Sequence, residues 1–137
     1  MATDAVFLEG LQFYAYHGVT PEERAAGQRF LVDVELEADL RAAGQGDDLA
    51  ATINYSAVYK RVRAIVEGPP RRLIEALAED LAAALLAEFP AEAVTVAVRK
   101  PQVALKGAFL AAAGSGFAER GGRGDGPGRY GHAGGGG

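Results

Sequence analysis

Apolar and polar residues alternate most cleanly between Phe30 and Leu40. Phe30, Val32, Val34, Leu36, Ala38 and Leu40 fall on one face, and Asp33, Glu35, Glu37 and Asp39 on the other. A period of two over this length predicts a half-buried strand with its four acids on the solvent face. Val6 to Tyr16, rich in aromatic and branched residues, predicts another strand. The stretch between them, His17 to Arg29, contains Gly18, Pro21 and Gly27 and reads as a long loop joining an antiparallel pair. Gly44 to Thr52 is a polar connector carrying Asp47-Asp48. A helix is predicted after it, with Asn54 as N-cap and Val58, Val62, Ile65 and Val66 as its apolar stripe, stopped by Gly68-Pro69-Pro70. A longer helix is predicted from Arg72 to Phe89, with Ile74, Leu77, Leu81 and Leu85 facing inward and Pro90 ending it. Val94, Val96 and Val98 alternate with Thr95, Ala97 and Arg99 in a third strand, and Ala108 to Arg120 reads as a weaker fourth.

The order strand, strand, helix, helix, strand, strand defines an α+β fold: a ββααββ antiparallel sheet with both helices on one face. The acidic face of the second strand can lie in water in a monomer, or line a wet channel in a ring of subunits.

The chain of 137 residues suits one domain, 1–120, because the composition changes abruptly beyond Arg120. Residues 121–137, GGRGDGPGRYGHAGGGG, hold too little apolar mass for a core and read as a Gly-rich disordered tail. Its Arg123-Gly124-Asp125 is read as a chance tripeptide. Cysteine is absent, which excludes disulfides, thiolate metal sites and a cysteine nucleophile. The N-terminus carries no basic segment followed by an apolar one, and no stretch is long and apolar enough to span a bilayer; a cytoplasmic protein with no membrane partner is expected. A net charge of −4 argues against a nucleic-acid partner. Of the two histidines, His132 lies in the tail, so a zinc site of three nitrogen ligands is not expected. A carboxylate-only magnesium site stays open in principle, but no clustered carboxylate motif demands one, and neither metal nor other cofactor is expected.

Five residues break the pattern. Lys100 continues the series Val94, Val96, Val98 and so points to the apolar face where the strand ends. It is either a lysine snorkelling at a sheet edge or one held at the mouth of a pocket, where it can move protons. Glu75, in the first turn of the second helix, either complements the helix dipole or grips a planar pair of N–H donors through two parallel hydrogen bonds. Tyr55, at the start of the first helix, is either a packing aromatic or a site residue. Glu23, in the loop from Gly18 to Gly27 next to Glu22, reads as a solvated loop acid. His17, at a strand end before Gly18, reads as a loop-positioning donor rather than a catalyst.

In combination these residues resemble the dihydroneopterin aldolase family. The likeness is carried by Phe13-Tyr14-Ala15-Tyr16-His17-Gly18-Val19, by Pro21-Glu22-Glu23 with Gly27-Gln28-Arg29-Phe30, and by Asp47-Asp48-Leu49 with Thr52-Ile53-Asn54-Tyr55. Leu73-Ile74-Glu75-Ala76-Leu77-Ala78-Glu79 and Val98-Arg99-Lys100-Pro101, followed by Gly107, complete it, and together they cover nearly all of Leu8 to Arg120. The resemblance implies a tunnelling fold, in which subunits form rings that stack into a homo-octamer with active sites between neighbours. It also implies retro-aldol cleavage of 7,8-dihydroneopterin, a pterin, to 6-hydroxymethyl-7,8-dihydropterin and glycolaldehyde, without a metal or a Schiff base. By position it makes Lys100 the catalytic lysine, Glu23 the acid that helps hold a water near it, and Tyr55 a tyrosine supplied by the adjacent subunit. Glu75 becomes the carboxylate gripping the pterin edge with the Ile74 backbone beside it, and Thr52 and Ile53 the segment packing on the ring. The chain departs from the family after Lys100, where a proline-bearing turn is replaced by Val103-Ala104-Leu105-Lys106. Epimerisation of the same side chain or of its triphosphate, with Lys106, Arg99 and Arg29 as cations, is an alternative outcome of the same bond cleavage, and a non-catalytic pterin-binding ring protein is another.

Overall fold

A computed structural model describes residues 4–101 of the chain, together with the backbone of 106–113 and 118–121. Five strands form one antiparallel sheet in chain order: β1 (Asp4–Ala15), β2 (Gln28–Ala38), β3 (Ala93–Lys100), β4 (Lys106–Ala113) and β5 (Ala118–Gly121). Two helices, α3 (Tyr55–Val66) and α4 (Ile74–Glu88), cross between β2 and β3. Two shorter ones, α1 (Pro21–Ala26) and α2 (Arg41–Gly46), and a 3-10 turn at Leu49–Ala51 occupy segments expected to be loop.

The core lies between one sheet face and the two long helices. Phe30, Val32, Val34, Leu36 and Ala38 of β2 and Val94, Val96 and Val98 of β3 meet Val58, Val62, Ile65 and Val66 of α3 and Leu77, Leu81 and Leu85 of α4. Helix α3 packs over β1, and α4 over β3 and β4. Burying these side chains contributes roughly 1.5–3 kcal/mol each. Asn54 caps α3 as expected, its Oδ1 accepting the N–H groups of Ser56 at 3.0 Å and Ala57 at 3.2 Å.

The alternation in β1 changes phase. Val6 and Leu8 face the core before the break, and Leu11, Phe13 and Ala15 after it. Leu8 pairs with Val34 and Leu11 with Val32, so β1 spends one more residue than β2 over this interval. This bulge at Glu9-Gly10 keeps the apolar face inward across the break.

Three expectations need correction. The four acids from Asp33 to Asp39 do not all face solvent: Asp33 and Glu35 are buried within the subunit itself, and Asp39 lies just past the end of β2. Asp33 accepts the Gly10 N–H of the bulge at 2.6 Å and the Arg99 guanidinium at 3.0 Å, which offset the cost of burying its charge. The single weak strand expected from Ala108 to Arg120 is two antiparallel strands, β4 and β5, so the sheet has five strands rather than four among the described residues. The His17–Arg29 loop contains the helix α1. The atypical turn at 102–105 and the tail beyond Gly121 lie outside the described residues.

Candidate active site

The topology sorts the candidate residues by the end of the sheet they reach. Strands β1 and β3 run parallel to each other, so Lys100 finishes at the same end as Ala15 and the first residue of β2, Gln28. Helix α4 returns antiparallel into β3, which sets its first residues, Ile74 and Glu75, at that end too. Tyr55 starts α3 at the opposite end, with Thr52 and Ile53 just before it. The eleven steps from Tyr55 to Val66 span about 16 Å of helix axis, and the Val66 carbonyl is already at the Lys100 end, bonded to His17.

At the Lys100 end, Lys100 Nζ donates to Glu23 Oε2 at 3.3 Å, with the lysine side chain only 11% exposed and that of Glu23 29%. This contact joins a strand end to a segment 77 residues earlier in the chain. Glu23 is held by a capping box. Thr20 is the N-cap of α1 and its hydroxyl accepts the Glu23 N–H at 3.1 Å; Glu23 Oε1 in return accepts the Thr20 N–H at 3.2 Å and the Val19 N–H at 3.0 Å. Gln28 Nε2 approaches Glu23 Oε2 at 3.5 Å from β2. One carboxylate oxygen thus builds the turn and the other meets the lysine. The Thr20 N–H first, then the Lys100 hydrogen bond and the Val19 N–H, hold the Glu23 carboxyl down at about 2. It is therefore ionised throughout the neutral range and serves as a fixed acceptor, not as a base that takes up protons there.

Two glycines permit this arrangement. A Cβ on Gly18 would sit 2.5 Å from Glu23 Cβ, so only glycine lets the loop fold this closely over the carboxylate side chain. Gly27 ends α1 with φ +74°, and its bare Cα fits against the rings of Tyr14 and Tyr16. Tyr14 closes the loop by donating its hydroxyl to the Ala26 carbonyl at 2.5 Å.

His17 is fully buried, with its ring edge-on to Phe30 at a centroid distance of 5.2 Å. Its Nδ1 accepts the Arg71 N–H at 2.8 Å, which leaves Nε2 to donate to the Val66 carbonyl at 2.7 Å. Burial lowers its pKa, and the charges of Arg71 and Lys100 add to this against the opposing Val66 bond, in keeping with a neutral imidazole.

Glu75 and Ile74 open α4. Leu73, the N-cap, offers no side-chain hydrogen bond to the first turn. Glu75 is exposed, whereas Ile74 is buried. The structure therefore brings Lys100 and Glu23 into contact, places Ile74 and Glu75 at the same end, and leaves Thr52, Ile53 and Tyr55 at the other. Tyr55 is 67% exposed, so it is not a packing aromatic of its own subunit. Sequence reasoning missed Thr20 and Gln28 as supports of Glu23; the spacing Thr20-x-x-Glu23 with Pro21 between is the capping-box signature that marks the first.

The subunit is thus an α+β fold with a partly buried lysine bonded to a fixed carboxylate, at the same end of the sheet as the start of a helix bearing a second carboxylate, an arrangement of the kind found in enzyme sites for small polar molecules. The family model of dihydroneopterin aldolase matches residues 6–115. Dihydroneopterin aldolase of Bacillus subtilis is 48% identical over 111 residues, which is 80% of this chain and 92% of that protein. That of Streptococcus pyogenes serotype M18 is 45% identical over 109 residues, 79% of this chain and 92% of that one. The crystal structure of the E. coli dihydroneopterin aldolase in complex with neopterin superposes with a TM-score of 0.72 at 32% identity, covering 88% of this chain and all of that one. The chain belongs to the dihydroneopterin aldolase family.

Proposed function

We propose that the protein cleaves the side chain of 7,8-dihydroneopterin by a retro-aldol reaction, releasing glycolaldehyde and 6-hydroxymethyl-7,8-dihydropterin as a step of folate synthesis in the cytoplasm. The observation that carries this reading is the Lys100–Glu23 contact at 3.3 Å, set at the end of the sheet where Glu75 opens α4. Neopterin bound to the E. coli relative supports a pterin as the ligand.

Glu75 takes the amino-pyrimidinone edge of the ring by two parallel hydrogen bonds, with the Ile74 backbone beside it. Lys100, whose ammonium donates to Glu23, first protonates the imine nitrogen of the ring and then, as the neutral amine and through a water shared with Glu23, takes the proton from the side-chain hydroxyl. The carbon–carbon bond then breaks, its electrons pass into the imine of the dihydropterin, and glycolaldehyde leaves. Lys100 returns the hydroxyl proton to the resulting enol carbon and takes back the proton of the ring nitrogen as the imine re-forms, which gives the hydroxymethyl product with atoms and charge balanced. The ring serves as the electron sink, so the reaction calls for neither a metal nor a Schiff base. Glu23 stays charged and orients Lys100 Nζ, and much of the rate comes from this positioning.

Tyr55 acts on the site of a neighbouring subunit, and Thr52 and the backbone of Ile53, whose side chain is buried in its own core, pack against the pterin ring. Their place at the far end of α3, with Tyr55 and Leu49 largely exposed, supports an assembly of rings in which each site takes Lys100, Glu23 and Glu75 from one copy and Tyr55 from the next. A homo-octamer of two stacked rings is the assembly we propose.

Incubation with 7,8-dihydroneopterin followed by product chromatography tests the function. Stoichiometric glycolaldehyde and hydroxymethyl-dihydropterin are expected. Recovery of the side-chain epimer alone would make the protein an epimerase, and tight pterin binding without any product over hours would leave it a binding protein.

A further inference from the structure

Helix α1 and helix α4 meet the site from different parts of the chain, and two bonds tie the segments before them together. The Arg71 N–H donates to His17 Nδ1 at 2.8 Å, and the Gly18 N–H donates to the Arg71 carbonyl at 3.0 Å. Residues 17–18 and residue 71 are thus clasped through both polar groups of one peptide-bearing residue. On one side of the clasp the next amides, Val19 and Thr20, bind Glu23. On the other, two residues, Arg72 and Leu73, lead from Arg71 to Ile74 and Glu75. Arg71 is itself anchored, by its side chain to Asp80 at 2.9 Å and to the carbonyls of Ile65 and Pro69. His17 has no solvent exposure and so cannot touch a substrate.

We infer that His17 is a positioning residue that sets the distance between the Lys100–Glu23 pair and the Glu75 end of α4. This rests on the aldolase reading above. The two ring nitrogens have separable duties. The bond from Nε2 to Val66 packs the ring against the end of α3, while the Nδ1 acceptor holds the clasp. A ligand gripped at Glu75 is presented to Lys100 only as well as these two segments are held together, and an error of an ångström at that distance weakens the reacting geometry.

Two substitutions divide the duties. In His17→Asn the amide oxygen lies as many bonds from Cβ as Nδ1 does and can accept from Arg71, but nothing reaches Val66. In His17→Gln the amide nitrogen lies as many bonds from Cβ as Nε2 does and can donate to Val66, but nothing accepts from Arg71. Steady-state kinetics with 7,8-dihydroneopterin, thermal midpoints, and amide exchange at Gly18, Val19 and Thr20 are measured for both and for the wild type. The expected result is a kcat within about threefold of wild type for His17→Asn and about 10- to 100-fold lower for His17→Gln, with KM little changed in either. Exchange at the three amides should be about tenfold faster in His17→Gln alone. Equal kcat and equal exchange in the two variants would overturn the proposal. So would failure of either to fold, which would make His17 a residue of the fold rather than of the site. Should the wild type release no glycolaldehyde, the aldolase reading fails by itself, and the exchange contrast still decides whether the clasp exists as described.

Discussion

Replacing Gly18 by alanine adds one methyl group at the closest approach between the loop and Glu23. The new carbon would stand 2.5 Å from Glu23 Cβ, 2.9 Å from Oε1 and 3.0 Å from Cδ. Carbon atoms in ordinary contact lie about 3.5–4.0 Å apart, so the pair must separate by roughly 1 Å. The Cβ of Glu23 is fixed to α1 and cannot swing away as a long side-chain tip would. Glu23 therefore carries the displacement, and its 3.3 Å contact with Lys100 has almost no slack before it ceases to be a hydrogen bond. Overpacking of this kind costs about 1–3 kcal/mol of stability, and a misplacement of about 1 Å in a catalytic pair lowers kcat on the order of 100-fold. The atoms nearest the added methyl all belong to Glu23 and none to Glu75, so with the Gly18 bond to the Arg71 carbonyl kept neopterin affinity should change little. Steady-state kinetics and a neopterin titration on the folded variant provide the check. A Gly18→Ala protein that folds and turns over at the wild-type rate would refute the placement of Glu23 against Lys100.

Other expectations concern the same framework. The Glu23 carboxyl lies at about 2 in the fold against an ordinary 4.5, so it binds fewer protons folded than unfolded between those values; the stability it supplies is complete above 4.5 and is lost as pH falls toward 2. The urea stability gap between wild type and Glu23→Gln should accordingly be steady near neutrality and close across that window. Leu81 is fully buried on α4, and Leu81→Ala should cost about 3–4 kcal/mol in urea unfolding. Asn54→Ala removes the acceptor for two amides of α3 and should cost about 1 kcal/mol, read as a lowered thermal midpoint.

The regular parts of the fold were legible because their periods are strong. Alternation in β2 and β3 and the stripes of α3 and α4 placed the core, and Asn54 marked a helix start through its cap. The phase change at Glu9-Gly10 was not read, because a bulge preserves the apolar face while breaking the period that defines it. Burial of Asp33 escaped as well: alternation assigns a face but says nothing of what covers it, and Arg99 and the bulge amide lie far away in sequence. Lys100 was visible as a charge on an apolar face, yet pattern alone left it open between a snorkelling edge residue and a pocket lysine. Its partner Glu23 is 77 residues distant, so their contact is a product of the sheet order and not of local spacing. His17 was expected to donate to a loop. It donates to the end of α3 and accepts from the segment before α4, a pairing that depends on the crossover between two helices.

The proposed mechanism assigns the proton transfer to Lys100 while other residues hold the pterin. Its most direct test is Lys100→Ala, assayed for glycolaldehyde release from 7,8-dihydroneopterin and titrated with neopterin. Release should fall by about 100- to 10,000-fold, the range for loss of a positioned proton carrier, with neopterin affinity retained. Glycolaldehyde release at a near-normal rate from the Lys100→Ala protein would contradict the account.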